Sequence, residues 1–385
     1  ISADSEGDIV VGGEAVDTDK VATTGIASAE ALGGSDFAFA TARVGVVPGS
    51  AAAFVDAANA GGSASTSTLE ATNGDEAIAI ALQIDDIELE GSLIIEETAF
   101  LHAQASITSK GASDALAAGA PGFALAEASV DFQPDFGEVE TQRATAIGLE
   151  AIFTPAGPGP VDIVIAGTVG ATASSQLDGH AVAIAESLGT LDGEFGGGAQ
   201  AYATVVSSLD VEADALGVVL VSGDVVPGQI ALSGTDTIFA DAVASSVLRA
   251  EASATVVSGE FGAQAVAQAI AEAGVEAFGV GLLAELGGLA PEAGPAFTSS
   301  ATIRATATAV SAAEATAIAT GGGDGDVAAA LALTADGRFW SGANADAVGI
   351  ILSAGSIDGD IVQEGIVTAD ADAVSTATAT AQSTG

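Results

Sequence analysis

The chain has 385 residues, with 52 acidic side chains against seven Lys and Arg, for a formal net charge of −45. That balance excludes nucleic-acid binding, because phosphate neutralisation needs clustered Lys and Arg, and it argues against an anionic membrane surface. With no Cys there is no disulfide or thiol chemistry, and with 14 Phe, one Tyr, one Trp and no Met a bulky globular core is less favoured than many thin layers of small residues.

In chain order, the sequence starts at Ile1 rather than Met and holds no Met anywhere. This predicts removal of a signal peptide and a secreted, extracellular or cell-surface location. No apolar run is long enough for a transmembrane helix, so membrane insertion is not expected. From Asp8 the segment DIVVGG introduces a motif that returns as DIELEG from Asp86, DIVIAG from Asp162 and DIVQEG from Asp360. A variant, DVVPG, starts at Asp224, and a degenerate copy lies in LAPEAGP near Glu292. The intervals predict one continuous array over 1–385, with approximate repeats 8–85, 86–161, 162–223, 224–291 and 292–359 and a partial sixth at 360–385. Aligning the two ends with one inserted residue sets Asp17 and Asp19 opposite Asp370 and Asp372.

Between these motifs the dominant pattern is alternation of Ala with another residue. HAVAIAES from His180, AQAYATVVSS from Ala199, AQAVAQAIAEA from Ala263 and RATATAVSAAEATAIAT from Arg304 all show it. A period of two puts every Ala on one face of a strand, whereas a helix would scatter them around its circumference. The segment VEAFGVGLLAEL from Val275 is the best candidate for a helical exception. Gly, Asp and Asn clusters such as NAGGS, TNGDE, GGGDGD and SIDGD supply the turns. The expected fold is all-β and elongated: a repeat array forming a β-solenoid or serial β-sandwich layers with Ala-alternating strands. Which strand face is interior stays open, because the Ala face and the Val/Ile face are both apolar.

Chemistry-bearing signals are sparse. His102 and His180 are isolated in the sequence and lack the partners that a catalytic base or zinc site needs. Acid pairs abound, and with 52 acids they arise without selection for a reaction. Calcium takes six to eight oxygen ligands from carboxylates and turn carbonyls. Asp324 and Asp326 in GGGDGD, and Asp358 and Asp360 in SIDGD, are the candidate ligands; no cofactor is otherwise required. Arg143, Arg249 and Arg304 each precede alternating Ala and are expected to pair with carboxylates within or between subunits. Thr-rich runs lack the fixed rung length of an ice-matching ladder. No phosphate loop, dinucleotide fingerprint, nucleophile elbow or HExxH motif occurs, so an enzyme is not expected.

In composition the chain resembles repeat-bearing secreted bacterial or archaeal β-proteins of matrices, sheaths and fibres. The resemblance implies a structural protomer of an extracellular filament or surface layer whose partner is itself. The partial repeat at Asp360, Ile361 and Val362 would be completed by Asp8, Ile9, Val10 and Val11 of the next copy, giving a head-to-tail homopolymer. The alternative is a monomeric secreted adhesin or cation-binding surface module.

Overall fold

The computed structural model describes residues 8–32, 37–47, 50–59, 63–71, 76–120, 122–132, 141–156, 159–188, 198–233, 237–257, 262–321, 325–334 and 342–384. Side chains are described outside 37, 47–75, 86 and 120. Every regular element among them is a strand. The molecule is all-β and elongated, with its strands gathered in largely parallel sheets.

The strands fall on six levels. The first holds β1 (Ile9–Val11), β2 (Glu14–Leu32), β3 (Phe37–Val47), two additional strands β4 (Ser50–Asn59) and β5 (Ser63–Ala71), and β6 (Glu76–Leu89). The second holds β7 (Leu93–Ile95), β8 (Phe100–Ala120), β9 (Phe123–Phe132) and β10 (Thr141–Pro155). On the third are β11 (Ile163–Ile165), β12 (Thr168–Ser187), β13 (Gly198–Ser207) and β14 (Asp210–Val226). The fourth comprises β15 (Ile230–Leu232), β16 (Thr237–Val256), β17 (Ala263–Ala271) and β18 (Val275–Leu289). The fifth comprises β19 (Phe297–Ser299), β20 (Thr302–Thr320), β21 (Val327–Thr334) and β22 (Ala343–Ala354). The sixth has β23 (Ile361–Gln363) and β24 (Val367–Thr384).

Corresponding strands of successive levels pair in parallel and build four sheets. The short sheet is β1-β7-β11-β15-β19-β23. The long sheet is β5-β2-β8-β12-β16-β20-β24. The first return sheet is β4-β3-β9-β13-β17-β21, and the second is β6-β10-β14-β18-β22. Among the described residues only β2–β5 and β3–β4 pair antiparallel. A 20-residue strand such as β12 spans roughly 66 Å at about 3.3 Å per residue, while six levels about 4.8 Å apart rise only about 24 Å. The long sheet packs on both return sheets.

Alternation decides which face turns inward. In β13 and β17 every Ala is buried and the intervening Gln, Tyr, Thr, Val and Ile face out. The open question of the interior face is thereby answered: the Ala face is inside. Ala40, Ala126, Ala201, Ala265 and Ala328 stack in one such column. This Ala-lined layer forms one core cluster. A second cluster of Ile, Leu, Val and Phe lies where the second return sheet, the short sheet and the start of the long sheet meet.

Between the two clusters four of the five strands of the second return sheet carry a glycine in register, Gly148, Gly217, Gly281 and Gly349, with Ala81 at the same position of β6. Burial slips by one residue there, so that Leu149, Val218 and Leu282 turn inward directly after a buried glycine. A Cβ on Gly148 would lie 2.6 Å from the Gly217 carbonyl and 2.8 Å from a Val169 methyl, so no larger residue fits. The segment from Val275, expected as the helical exception, is strand β18. Its glycines serve this slip and its close approach, and they blurred the two-residue period in the sequence.

Three copies of the Asp-Ile motif fall at one structural position. Ile9, Ile163 and Ile361 share a column of the short sheet with Leu93, Ile230 and Phe297. The copies at Asp86 and Asp224 lie elsewhere, on β6 and β14; Ser92 and Gln229 precede the corresponding short strands instead. The ends align without an inserted residue, since Ala15 and Val367 occupy the same column as Leu101, Val169, Ile238 and Ile303. Asp17 and Asp19 therefore match Ala369 and Ala371, not Asp370 and Asp372. A one-residue offset in a strand exchanges its faces, and the alignment with an insertion had exchanged them.

Candidate assembly interface

The two ends of the stack are built differently. At the C-terminal end β21, β22, β23 and β24 are the outermost strands of their sheets among the described residues. Each shows one row of backbone N–H and C=O groups without a strand on its far side. Side chains buried at inner levels are open here. Ile361 is 56% exposed, against 2% for Phe297 one level below, and Val367 is 40% exposed, against 0% for Ile303. All of β24 is exposed, including the Ala positions that are buried in β20.

At the N-terminal end the edge is largely covered. β5 pairs with β2 over Thr23 to Ala31, and β4 pairs with β3 over Ala38 to Val47. The edge of β6 is satisfied differently: Asp19 Oδ2 accepts the Ile78 N–H and Asp17 Oδ2 accepts the Ile80 N–H, each at 3.0 Å. Two carboxylates thus stand where a neighbouring strand would place its carbonyls. They occupy columns that are Ala at every other level. Inward-pointing charge on an edge strand is a recognised barrier to further pairing. Among the described residues, β1 and β2 from Glu14 to Val21 have no strand on this side.

The covering strands come from an expanded connection. Residues 48–75 separate β3 from β6, whereas two residues, Ser208 and Leu209, join β13 to β14. Neither that connection nor the role of Asp17 and Asp19 was found from the sequence. The motif spacing carried no signal of it, because the copy at Asp86 lies within β6 and does not mark the start of a level.

The sequence-predicted assembly residues divide between the ends. Ile9, Val10 and Val11 form β1 and Ile361 and Val362 lie in β23, at opposite edges of the short sheet. Asp8 Oδ1 accepts the Ser92 N–H at 2.8 Å, and Asp162 Oδ1 accepts the Gln229 N–H at 3.0 Å. The motif aspartate thus ties one level to the next. Asp360 holds the equivalent place on the outermost level, with an exposed side chain.

The proposed calcium ligands belong to two separate turns. Asp324 lies outside the described residues. Asp326 precedes β21, and its Oδ1 accepts the Ala263 N–H at 2.8 Å. Asp358 and Asp360 precede β23, on another sheet. Among the described residues no group of three His, Asp or Glu side chains is placed to hold a metal ion.

Arginines make pairs across levels. Arg143 contacts Asp214 at 2.5 Å and Glu212 at 3.7 Å, Arg249 contacts Glu314 at 3.2 Å, Arg304 contacts Asp241 at 2.6 Å, and Arg43 contacts Glu127 at 3.2 Å. Burial raises the Glu212 carboxyl above its ordinary range, and Arg143 opposes that shift. His102 lies 5.4 Å from the Phe239 ring and is 3.2 Å from Thr172 Oγ1, while His180 lies 4.0 Å from Glu251.

An open hollow of about 530 Å³ on the outer side of the first return sheet is lined by Arg43, Glu127, Asp131, Tyr202 and Thr204, among others. No helix of the described residues is long and apolar enough to cross a membrane. In comparisons with known proteins, no family model, curated protein or solved structure matches the chain.

Proposed function

We propose that the chain is a structural β-solenoid, a protomer of an extracellular filament or surface layer, that assembles through its terminal strands and performs no catalysis. In this reading each level is one coil, with starts near Asp8, Ser92, Asp162, Gln229, Ala296 and Asp360. A coil cannot bury its own upper edge and needs a neighbour. The supporting observation is the C-terminal face: the column that buries Phe297 leaves Ile361 open, and the one that buries Ile303 leaves Val367 open. Burying side chains of this size stabilises by roughly 1.5–3 kcal/mol each, and a next level would also pair the β24 edge. The high negative charge keeps free protomers apart and makes assembly depend on screening cations.

Electron microscopy of the purified chain at low and high salt, with and without calcium, tests this. Filaments or sheets favoured by salt are expected, and removal of 360–385 should abolish them. Dispersed particles in every condition would overturn the proposal. They would favour a monomeric surface-binding module, for which the hollow beside Tyr202 is the place to seek a ligand.

A further inference from the structure

The two end faces would be complementary if the N-terminal one were bare. Extending the observed register by one level brings β23 and β24 of one copy beneath β1 and β2 of the next. Asp372 then lies beside Lys20, because both occupy the column of Ser106, Ser174, Val243 and Thr308. Asp370 lies beside Thr18, in the column where the Thr306 hydroxyl already donates to Asp241 at 2.6 Å. Lys20 is one of seven basic residues against 52 acids, and this register sets it beside an acid of the incoming strand.

The face is not bare. β5 stands beside the second half of β2, in the space that Ser375 to Thr384 of an incoming β24 would need. β4 stands likewise where β21 would pair with β3. Asp17 and Asp19 hold the edge of β6 that would receive β22. A docked cap therefore holds an incoming copy about one strand spacing, roughly 4.8 Å, away from half of its partner.

From this we propose that β4–β5, with Asp17 and Asp19, is a guard on an interaction surface, and that the surface beneath takes the C-terminal strands of a second copy. The inference rests on the head-to-tail reading above and adds its control. The energetic direction is favourable. The cap contributes strands paired over ten and nine residues, antiparallel to the sheets they cover. The incoming face offers strands of 18, 12, 8 and 3 residues in the parallel register of the whole stack. Exchange trades a shorter edge for a longer one, with the opening of the cap as its barrier.

The decisive chain replaces 48–75 by Ser-Leu, the connection used between β13 and β14, and carries Asp17→Ala and Asp19→Ala to restore the Ala columns. Light scattering and electron microscopy should show filaments growing at least about tenfold faster than for the parent. Adding Ala369→Asp and Ala371→Asp, which copies the aspartate pair onto β24, should return that chain to monomer. Should the replacement prevent folding, judged by circular dichroism, Ser65→Pro with Thr66→Pro in the full chain removes backbone donors from β5 and should also accelerate growth. Equal growth of the parent and the folded unguarded chains would overturn the guard and leave the filament reading standing. A folded unguarded chain that stays monomeric overturns both.

Discussion

The Ala-lined layer and the Ile/Leu wedge are made by the same levels of the same chain, yet they solve packing in opposite ways. In the layer, opposing sheets present mostly Ala methyl groups, and the larger Phe132 and Leu248 sit against Gly111 and Gly179. In the wedge larger side chains meet, and Leu93, Ile163, Ile230 and Phe297 occupy one column. The glycine row of Gly148, Gly217, Gly281 and Gly349 separates the two regimes. The layer should thus tolerate no added volume, and the wedge should suffer most from lost volume.

The largest effect is expected in the wedge. Ile230→Ala removes a fully buried side chain held between neighbouring levels and should cost about 2–5 kcal/mol. Urea denaturation would show it as a lowered midpoint, and an unchanged midpoint would mean that the levels close over the gap. The converse substitution, Ala201→Leu, adds volume between flat sheets and should cost about 1–3 kcal/mol. If Ala201→Leu were neutral, the close approach of the sheets would be wrong.

This contrast also explains what the sequence disclosed. Ala alternation identified the strands, because a two-residue period survives wherever a strand has one inner face. It failed at Val275, where Gly279 and Gly281 serve a change of phase. The Asp-Ile motif located the levels starting at Asp8, Asp162 and Asp360, where the aspartate side chain bonds the next level or is positioned to do so. It misplaced the others, since Ser92, Gln229 and Ala296 fill the same place without a carboxylate. The arginine partners were legible as a type but not as residues, because each partner is set by the level spacing. The capped end was illegible: nothing local distinguishes Asp17 and Asp19 from the other acids.

Smaller effects sit on the outer faces, where solvent discounts charge. Arg143 is about half exposed, so Arg143→Ala should cost no more than about 1 kcal/mol through its pairs. Its removal also leaves Glu212 facing Asp210, Asp214 and Glu276 without a counter-charge. A double-mutant cycle with Asp214→Asn would isolate the direct pair, and a zero coupling would show that Arg143 acts on the whole acidic group.

The smallest prediction concerns pH at the same place. Burial, the largest influence, raises the folded-state pKa of Glu212 above its ordinary 4.5. Between the unfolded and folded values the native chain binds more protons than the unfolded one. The associated stability is therefore present below the unfolded pKa and is lost as pH rises through the folded pKa. Glu212→Gln removes the carboxylate that must be ionised in a partly buried site. Its advantage over the parent should thus be larger at pH 7 than at pH 4, where the parent's Glu212 is largely protonated. Urea midpoints at the two pH values measure the difference. An advantage that is equal at both, or larger at pH 4, would mean that Arg143 outweighs burial at this position and that the carboxylate is stabilised by the pair rather than strained by its surroundings.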